Sequence, residues 1–362
     1  MTGLRACLML FGLLAGAVTA RAAGTAAPPP AAAEPPRLWA MGFGLVPPRP
    51  QVAAAVRAID LIGQRAEIAA IHEELPWKDL LAGMDADAIL DRDKAGLVKY
   101  VRSKGLKLYV MADPTDGLSR GQEAPQLRAL GRSLGEPSVQ QAYRRYVAAF
   151  ARRFRPEYIG VAAETNLVRQ MASPALYAAV RRVARDTAED LRAAGNAAQL
   201  VVSVQVDAAW GRLASGGRYA GIEQDLADFP FADVLGLSAY PYLASYPTPE
   251  EVPDDYFSRL LAGRRLPVMV VEGGWTSSSA GPVRSSPALQ ARYFARLAQL
   301  ADSVRAQAVI QLVFADIDLG SFPGPHPAIL PLFTRIGVVD ADFRPKPALA
   351  EWDRLFRRRL LR

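Results

Sequence analysis

Eight short apolar segments, spaced along the chain and separated by stretches with helical spacing, constrain the fold of this sequence more than any other feature. They cover 38–43, 68–72, 107–112, 158–163, 200–206, 234–239, 268–271 and 308–314. Most are runs of four to eight apolar residues, which is how strands buried on both faces read. Between them, apolar residues recur at helical spacing over 51–65, 88–104, 139–154, 174–194 and 287–305. Gly105, Gly195 and Pro267 punctuate the ends of helical stretches before the next strand. Eight strands over residues 37–362, each followed by a helical stretch or a long loop, predict a single (β/α)8 barrel. An open doubly wound sheet is the alternative. No Gly-x-Gly-x-x-Gly turn follows the first strand to support a dinucleotide site, and polar and aromatic residues gather after many of the strands, as in a ring of loops around one mouth.

The N-terminal residues do not belong to that barrel. Arg5, an apolar run over 7–20 and small residues at 18–23 form the pattern of a secretory signal peptide over 1–23. The run falls short of the ~20 apolar residues a membrane span needs, so no stable membrane insertion is expected after cleavage. Residues 24–36 are an Ala/Pro-rich linker with no hydrophobic period. Cys7 is the only cysteine, so the mature chain is expected to carry no disulfide and no thiolate metal site. A periplasmic or secreted bacterial protein, stabilised by its core, is expected. The net charge is +7, of which Arg5 and Arg21 supply two. The one basic cluster, 357–359, reads as a solvated helix end and not as a nucleic-acid patch.

The strand ends carry the chemistry. The fourth and seventh segments run into Glu164 and Glu272, at the barrel end where active sites are built. A facing pair of carboxyls there is the acid/base and nucleophile of a retaining glycosidase. Other strand ends offer His72 and Glu73, Asp113, Asn166, Gln205, Asp207 and Trp210, Tyr240 and Tyr242, Trp275 and Asp316. Acids and amides bond sugar hydroxyls, and aromatic faces stack on sugar rings. Two histidines, His72 and His326, without a His-x-x-x-His pattern, leave metal chemistry unsupported. No Gly-x-Ser-x-Gly elbow and no phosphate-cradling Gly-rich loop is present, and no cofactor is expected.

These features resemble glycoside hydrolase clan A, which places an acid/base glutamate after strand four and a nucleophilic glutamate after strand seven. Residues 233–242, Asp-Val-Leu-Gly-Leu-Ser-Ala-Tyr-Pro-Tyr, are similar to the strand-six motif of the arabinogalactan endo-beta-1,4-galactanases, and 270–275, Val-Val-Glu-Gly-Gly-Trp, to their nucleophile segment. The tail around Pro345, Leu349 and Trp352 resembles the strand-eight exit of such enzymes. The resemblance implies that Glu164 is the general acid/base and Glu272 the nucleophile. It further implies that Tyr240 donates a hydrogen bond to Glu272, that Trp275 floors the subsite beside the scissile bond, and that the carboxyls lie ~5–5.5 Å apart. His72, Gln205, Tyr242 and Trp210 are further candidates for the substrate site. The expected partner is an oligo- or polysaccharide and the expected state a monomer.

Two positions depart from the family pattern. Clan A sets an asparagine immediately before the acid/base glutamate, where it bonds the sugar 2-hydroxyl; here that position is Ala163. Asn166 takes that role if its side chain swings back over the mouth. Phe314 stands where many relatives have a tryptophan platform. The rival readings are a barrel that binds carbohydrate with impaired catalysis, and an unrelated barrel acting as a lyase or deacetylase. Asp113, Asp207, Glu73 and Asp316 are the carboxylates that replace the pair if it is wrong.

Overall fold

The computed structural model describes residues 34–213 and 217–361; the signal segment and most of the linker lie outside them. All eight strands form, as β1 (Ala40–Gly44), β2 (Ile68–Glu74), β3 (Lys107–Asp113), β4 (Tyr158–Ala162), β5 (Gln199–Gln205), β6 (Val234–Ala239), β7 (Val268–Gly273) and β8 (Ala308–Gln311). Each pairs in parallel with the next, and β8 closes on β1. The closed (β/α)8 barrel therefore stands, and the open sheet does not.

Alternation along the strands sorts side chains to two faces. On β3, Tyr109 and Met111 fill the barrel interior with Ile68, Val201, Met269 and Ile310. Leu108 and Val110 face outward into the helical shell. Gly160 on β4 makes this filling possible. A Cβ there would lie 2.5 Å from Met111 Cε and 3.0 Å from the Tyr109 hydroxyl.

Four of the five expected helices run as single elements, at Val52–Ile62, Pro137–Phe154, Pro174–Ala193 and Pro287–Ser303. Ser173 and Ser286 cap the last two, accepting from Leu176 N and Leu289 N at 3.2 Å, each followed by a proline at the first helical position. The stretch 88–104 divides into Ala86–Asp93 and Ala95–Ser103. Lys94 leaves the helical region there, and its ammonium pairs with Glu73 at 2.6 Å. The basic tail is a solvated helix end at Arg357 and Arg359, which are exposed, but not at Arg358. Arg358 is buried, donating to the carbonyls of Pro35 (2.6 Å) and Pro36 (3.1 Å) and standing over Trp39. Among the described residues, no helix is long and apolar enough to cross a membrane.

Register sets the mouth. Glu74 is level with Asp113, Gln205 with Ser238, and Ser238 with Glu272. Two irregularities, at Gly160/Ala162 against β5 and at Leu237/Ser238 against β7, adjust which residues meet there.

Candidate active site

Glu164 and Glu272 come together. Glu164 follows β4 in the left-handed region, with φ 46° and ψ 49°. That backbone costs a non-glycine residue on the order of 1 kcal/mol or more. It is held by the Glu164 N–H, which donates to Ser203 Oγ at 2.9 Å, and it aims the side chain into the mouth. Glu272 lies near the end of β7, set opposite Ser238 by the register shift between β6 and β7. Ser238 Oγ is 2.6 Å from Glu164 Oε1 and 2.9 Å from Glu272 Oε1, so these oxygens are no farther apart than the sum, 5.5 Å. That bound on the nearest oxygens is compatible with the retaining separation of ~5–5.5 Å.

Two cations and a third carboxylate give the pair unlike surroundings. Arg120, buried in the loop after β3, donates from Nε to Glu164 Oε2 at 2.8 Å and from Nη1 to Asp113. His72 Nε2 is 2.8 Å from Asp113 Oδ2, and its Nδ1 is 3.7 Å from Glu272 Oε2. Partial desolvation at the mouth works against a charged ring, but the hydrogen bond to Asp113 and attraction to Asp113 and Glu272 outweigh it and push His72 up, so it is an imidazolium near neutral pH. Burial also opposes ionised Asp113, and Arg120 and His72 overcome it, holding that carboxyl well below its ordinary range. Glu272 behaves likewise. Burial raises it, while His72, Arg120 and Ser238 together bring it below the ordinary glutamate value.

Glu164 goes the other way. Burial raises it most, Arg120 opposes, and the charge on Glu272 adds to the rise. Contact with Arg120 does not reverse the rise, because that guanidinium is shared with Asp113. Arg120 and His72 positive, with Asp113 and Glu272 negative, already balance, so a further negative charge on Glu164 would be uncompensated. One carboxyl that keeps its proton beside one that does not is the division a general acid and a nucleophile need.

The other expected site residues fare differently. His72 reaches the mouth. Asn166 does not swing over it: fully buried, it donates from Nδ2 to the Gln205 carbonyl and accepts the Gln205 N–H on Oδ1, both at 2.8 Å. Tyr240 lies close enough for the charges on Glu272 and Glu164, after burial, to raise its phenol. It makes no hydrogen bond to Glu272; its ring packs edge-on against Phe333 and Tyr242. The donor to Glu272 is Ser238, and His72 faces it as a charge at 3.7 Å. Trp275 is not a subsite floor. It is fully buried beside Tyr242 and Tyr293, with Nε1 bonded to Ser285 Oγ at 3.0 Å.

Tyr242 is also core, its hydroxyl donating to the Leu332 carbonyl at 3.0 Å. Gln205 caps the short helix Val206–Ala209, accepting from Ala208 N at 2.7 Å. Trp210 donates to the Tyr256 carbonyl and lies beneath Arg259. Phe314 is buried edge-on to Phe43.

The rival carboxylates have structural partners. Asp207 accepts from the Tyr256 hydroxyl, Gln205 Nε2 and the Tyr240 N–H. Glu73 holds Tyr146 and Lys94, and Asp316 holds Lys346 and the Gly337 N–H. Arg120, Ser238 and Ser203 are the residues sequence reasoning passed over. Ser238 stood inside the strand-six motif, while Arg120 sits in a loop with no apolar period to anchor it. A cavity of about 210 Å³ opens beside Glu272, lined among others by His72, Tyr109, Ala163, Ser203 and Leu45. No cluster of three or more metal-ligating side chains occurs among the described residues.

No family model matches the protein, and no curated protein resembles it in sequence. Solved structures do resemble it in fold. An exo-beta-1,4-mannosidase from Opitutaceae bacterium strain TAV5 superposes with a TM-score of 0.63 at 18% identity, over 89% of this protein and 60% of that one. A GH5_18 protein from Streptomyces cattleya, in complex with GlcNAc, gives 0.63 at 17% identity, over 89% and 80% of the two sequences. Xylanase 10B from Thermotoga maritima gives 0.56 at 13% identity, over 88% and 95%. At these identities the likeness is one of fold. The protein spans less than two thirds of the mannosidase's length.

Proposed function

We propose that the protein is a retaining glycoside hydrolase that cleaves a β-linked glycan by double displacement, with Glu272 as nucleophile and Glu164 as general acid and base. The observation that carries this reading is the pair itself: a buried and a half-buried carboxyl bridged by Ser238, with nearest oxygens no more than the sum of 2.6 and 2.9 Å apart and with opposite proton preferences. In the first half, Glu272 attacks the anomeric carbon while Glu164 passes its proton to the leaving oxygen. In the second, ionised Glu164 takes a proton from water, which attacks the same carbon and returns the bonding electrons to Glu272. Arg120 keeps Glu164 in place for both roles, and His72 steadies the charge on Glu272. Solved structures of similar fold named for mannoside and xylan cleavage support the class, and GlcNAc bound to one of them supports a carbohydrate ligand.

The galactanase resemblance rests on a strand-six motif whose Tyr240 and Tyr242 are buried, so the reading extends to β-glycosides without choosing galactan. The segment 1–23 supports export, and we place the protein in the periplasm or outside the cell as a monomer.

A panel of aryl β-glycosides (mannoside, xyloside, galactoside, glucoside) tests the reading. Glu272→Gln should lower turnover roughly a thousandfold or more on every substrate the wild type cleaves. Glu164→Ala should lose far less on a dinitrophenyl leaving group, which departs unprotonated, than on an alkyl one. A second reading, a carbohydrate-binding barrel of impaired catalysis, is favoured by Ala163 and by the engagement of Asn166 elsewhere, which leave no asparagine amide for the 2-hydroxyl. It predicts that wild type and Glu272→Gln are equally inactive and bind sugar equally well.

A further inference from the structure

The Ser238 side chain is fully buried at the end of β6 and touches both carboxyls, yet its hydroxyl carries a single hydrogen. Donating to the ionised glutamate and accepting from the protonated one satisfies both neighbours at once and places the stronger, charge-assisted bond on the anion. Two carboxylates would leave one oxygen facing the lone pairs of Oγ.

We propose, resting on the double-displacement reading above, that Ser238 is the positioning residue that keeps one proton on the Glu164–Glu272 pair, and that its O–H turns from Glu272 to Glu164 halfway through the reaction. At the start the hydroxyl donates to Glu272 Oε1 and accepts from protonated Glu164 Oε1. When Glu272 bonds to the anomeric carbon, the leaving oxygen departs with the bonding pair and the Glu164 proton. Glu272 is then a neutral ester and Glu164 the anion, so the hydroxyl rotates to donate to Glu164. After water adds to the anomeric carbon, its proton goes to Glu164, the ester bond returns its electrons to Glu272, and the hydroxyl turns back. Only a rotation about the Cβ–Oγ bond of Ser238 is required, with no movement of the strands.

The charged and titratable groups around the pair come from β2, β3 with the loop after it, and β6. Arg120 and Asp113 stand on the β3 side, His72 on β2, and the Tyr240 phenol on β6, with the Tyr109 phenol in the cavity within reach of the charge on Glu272. None of these touches both glutamates through one atom. Arg120 bonds Glu164 on Oε2 and His72 faces Glu272 on Oε2, which leaves the two Oε1 atoms to Ser238.

Carbon-13 NMR of the glutamate carboxyls in the whole protein reads this directly and does not require turnover. A bridge that favours the one-proton state holds the two titration midpoints of the pair apart. Ser238→Ala should bring them together, raising the lower and lowering the upper, by roughly one pH unit in total, the worth of one charge-assisted hydrogen bond. A hydroxyl acting only as a fixed donor would stabilise both anions, and its loss would move both midpoints upward. That parallel shift, or no shift, overturns the proposal. If Ser238→Ala does not fold, Ser238→Cys is read in its place, since its thiol nearly preserves the packing and is a weak donor; partial convergence is expected of it. An inactive wild type whose midpoints converge in the variant would refute the hydrolase reading and leave the proton bridge standing.

Discussion

Arg120 and His72 are the two residues that make the glutamates unequal, and each acts through geometry. Arg120 divides its guanidinium between Asp113 and Glu164, so it anchors Glu164 without forcing it to ionise. His72 faces Glu272 and draws its own charge from Asp113. A cation beside Glu272 favours the ionised carboxyl, so removing it must raise the pH at which Glu272 loses its proton. His72→Asn is therefore expected to move the acid limb of the kcat/KM profile to higher pH and to leave the basic limb, set by Glu164, nearly in place. A shift of the basic limb alone would assign His72 to Glu164 instead. Neither cation's part could be read from the sequence. A lone histidine has no pattern that names its partner, and Arg120 lies in a loop without period. Both glutamates were legible, because each ends an apolar strand.

At the scale of elements, the strands were readable because each of them is an apolar run bounded by punctuating residues, and all eight form where that pattern placed them. Some ends moved: β8 stops at Gln311 and β2 continues to Glu74. Side-chain roles at strand ends were less readable, since a polar residue there serves either the mouth or the backbone. Asn166 went to the backbone. It pairs with both the N–H and the carbonyl of Gln205, continuing the β4–β5 ladder past the point where β4 ends in the left-handed turn at Glu164. Asn166→Ala would strand those two buried groups and should lower the unfolding free energy by about 2–4 kcal/mol, measured by chemical denaturation. If stability is unchanged and kcat/KM falls, Asn166 is a sugar contact after all. The aromatic motif residues Tyr242 and Trp275 misled for a related reason. Their size suits a sugar platform, but the shell behind β6 and β7 needs large rings to fill it, and Tyr293 and Tyr256 complete that layer.

For the whole molecule, the barrel brings five strands' ends to one mouth and thereby balances charge across segments far apart in sequence. His72, Asp113, Arg120, Glu164, Ser238 and Glu272 come from β2, β3, the loop after β3, β4, β6 and β7. No local stretch of sequence contains that constellation; only closure of the sheet assembles it. The central claim is that Glu272 forms the covalent link to the sugar. Incubation with a fluorinated glycosyl fluoride, built on the sugar of whichever aryl glycoside the wild type cleaves, followed by peptide mass spectrometry, tests it directly. The expected result is one glycosyl adduct on Glu272, absent from Glu272→Gln and present in Glu164→Ala. An adduct on any other residue, or turnover that releases the inverted anomer with no adduct formed, would contradict it.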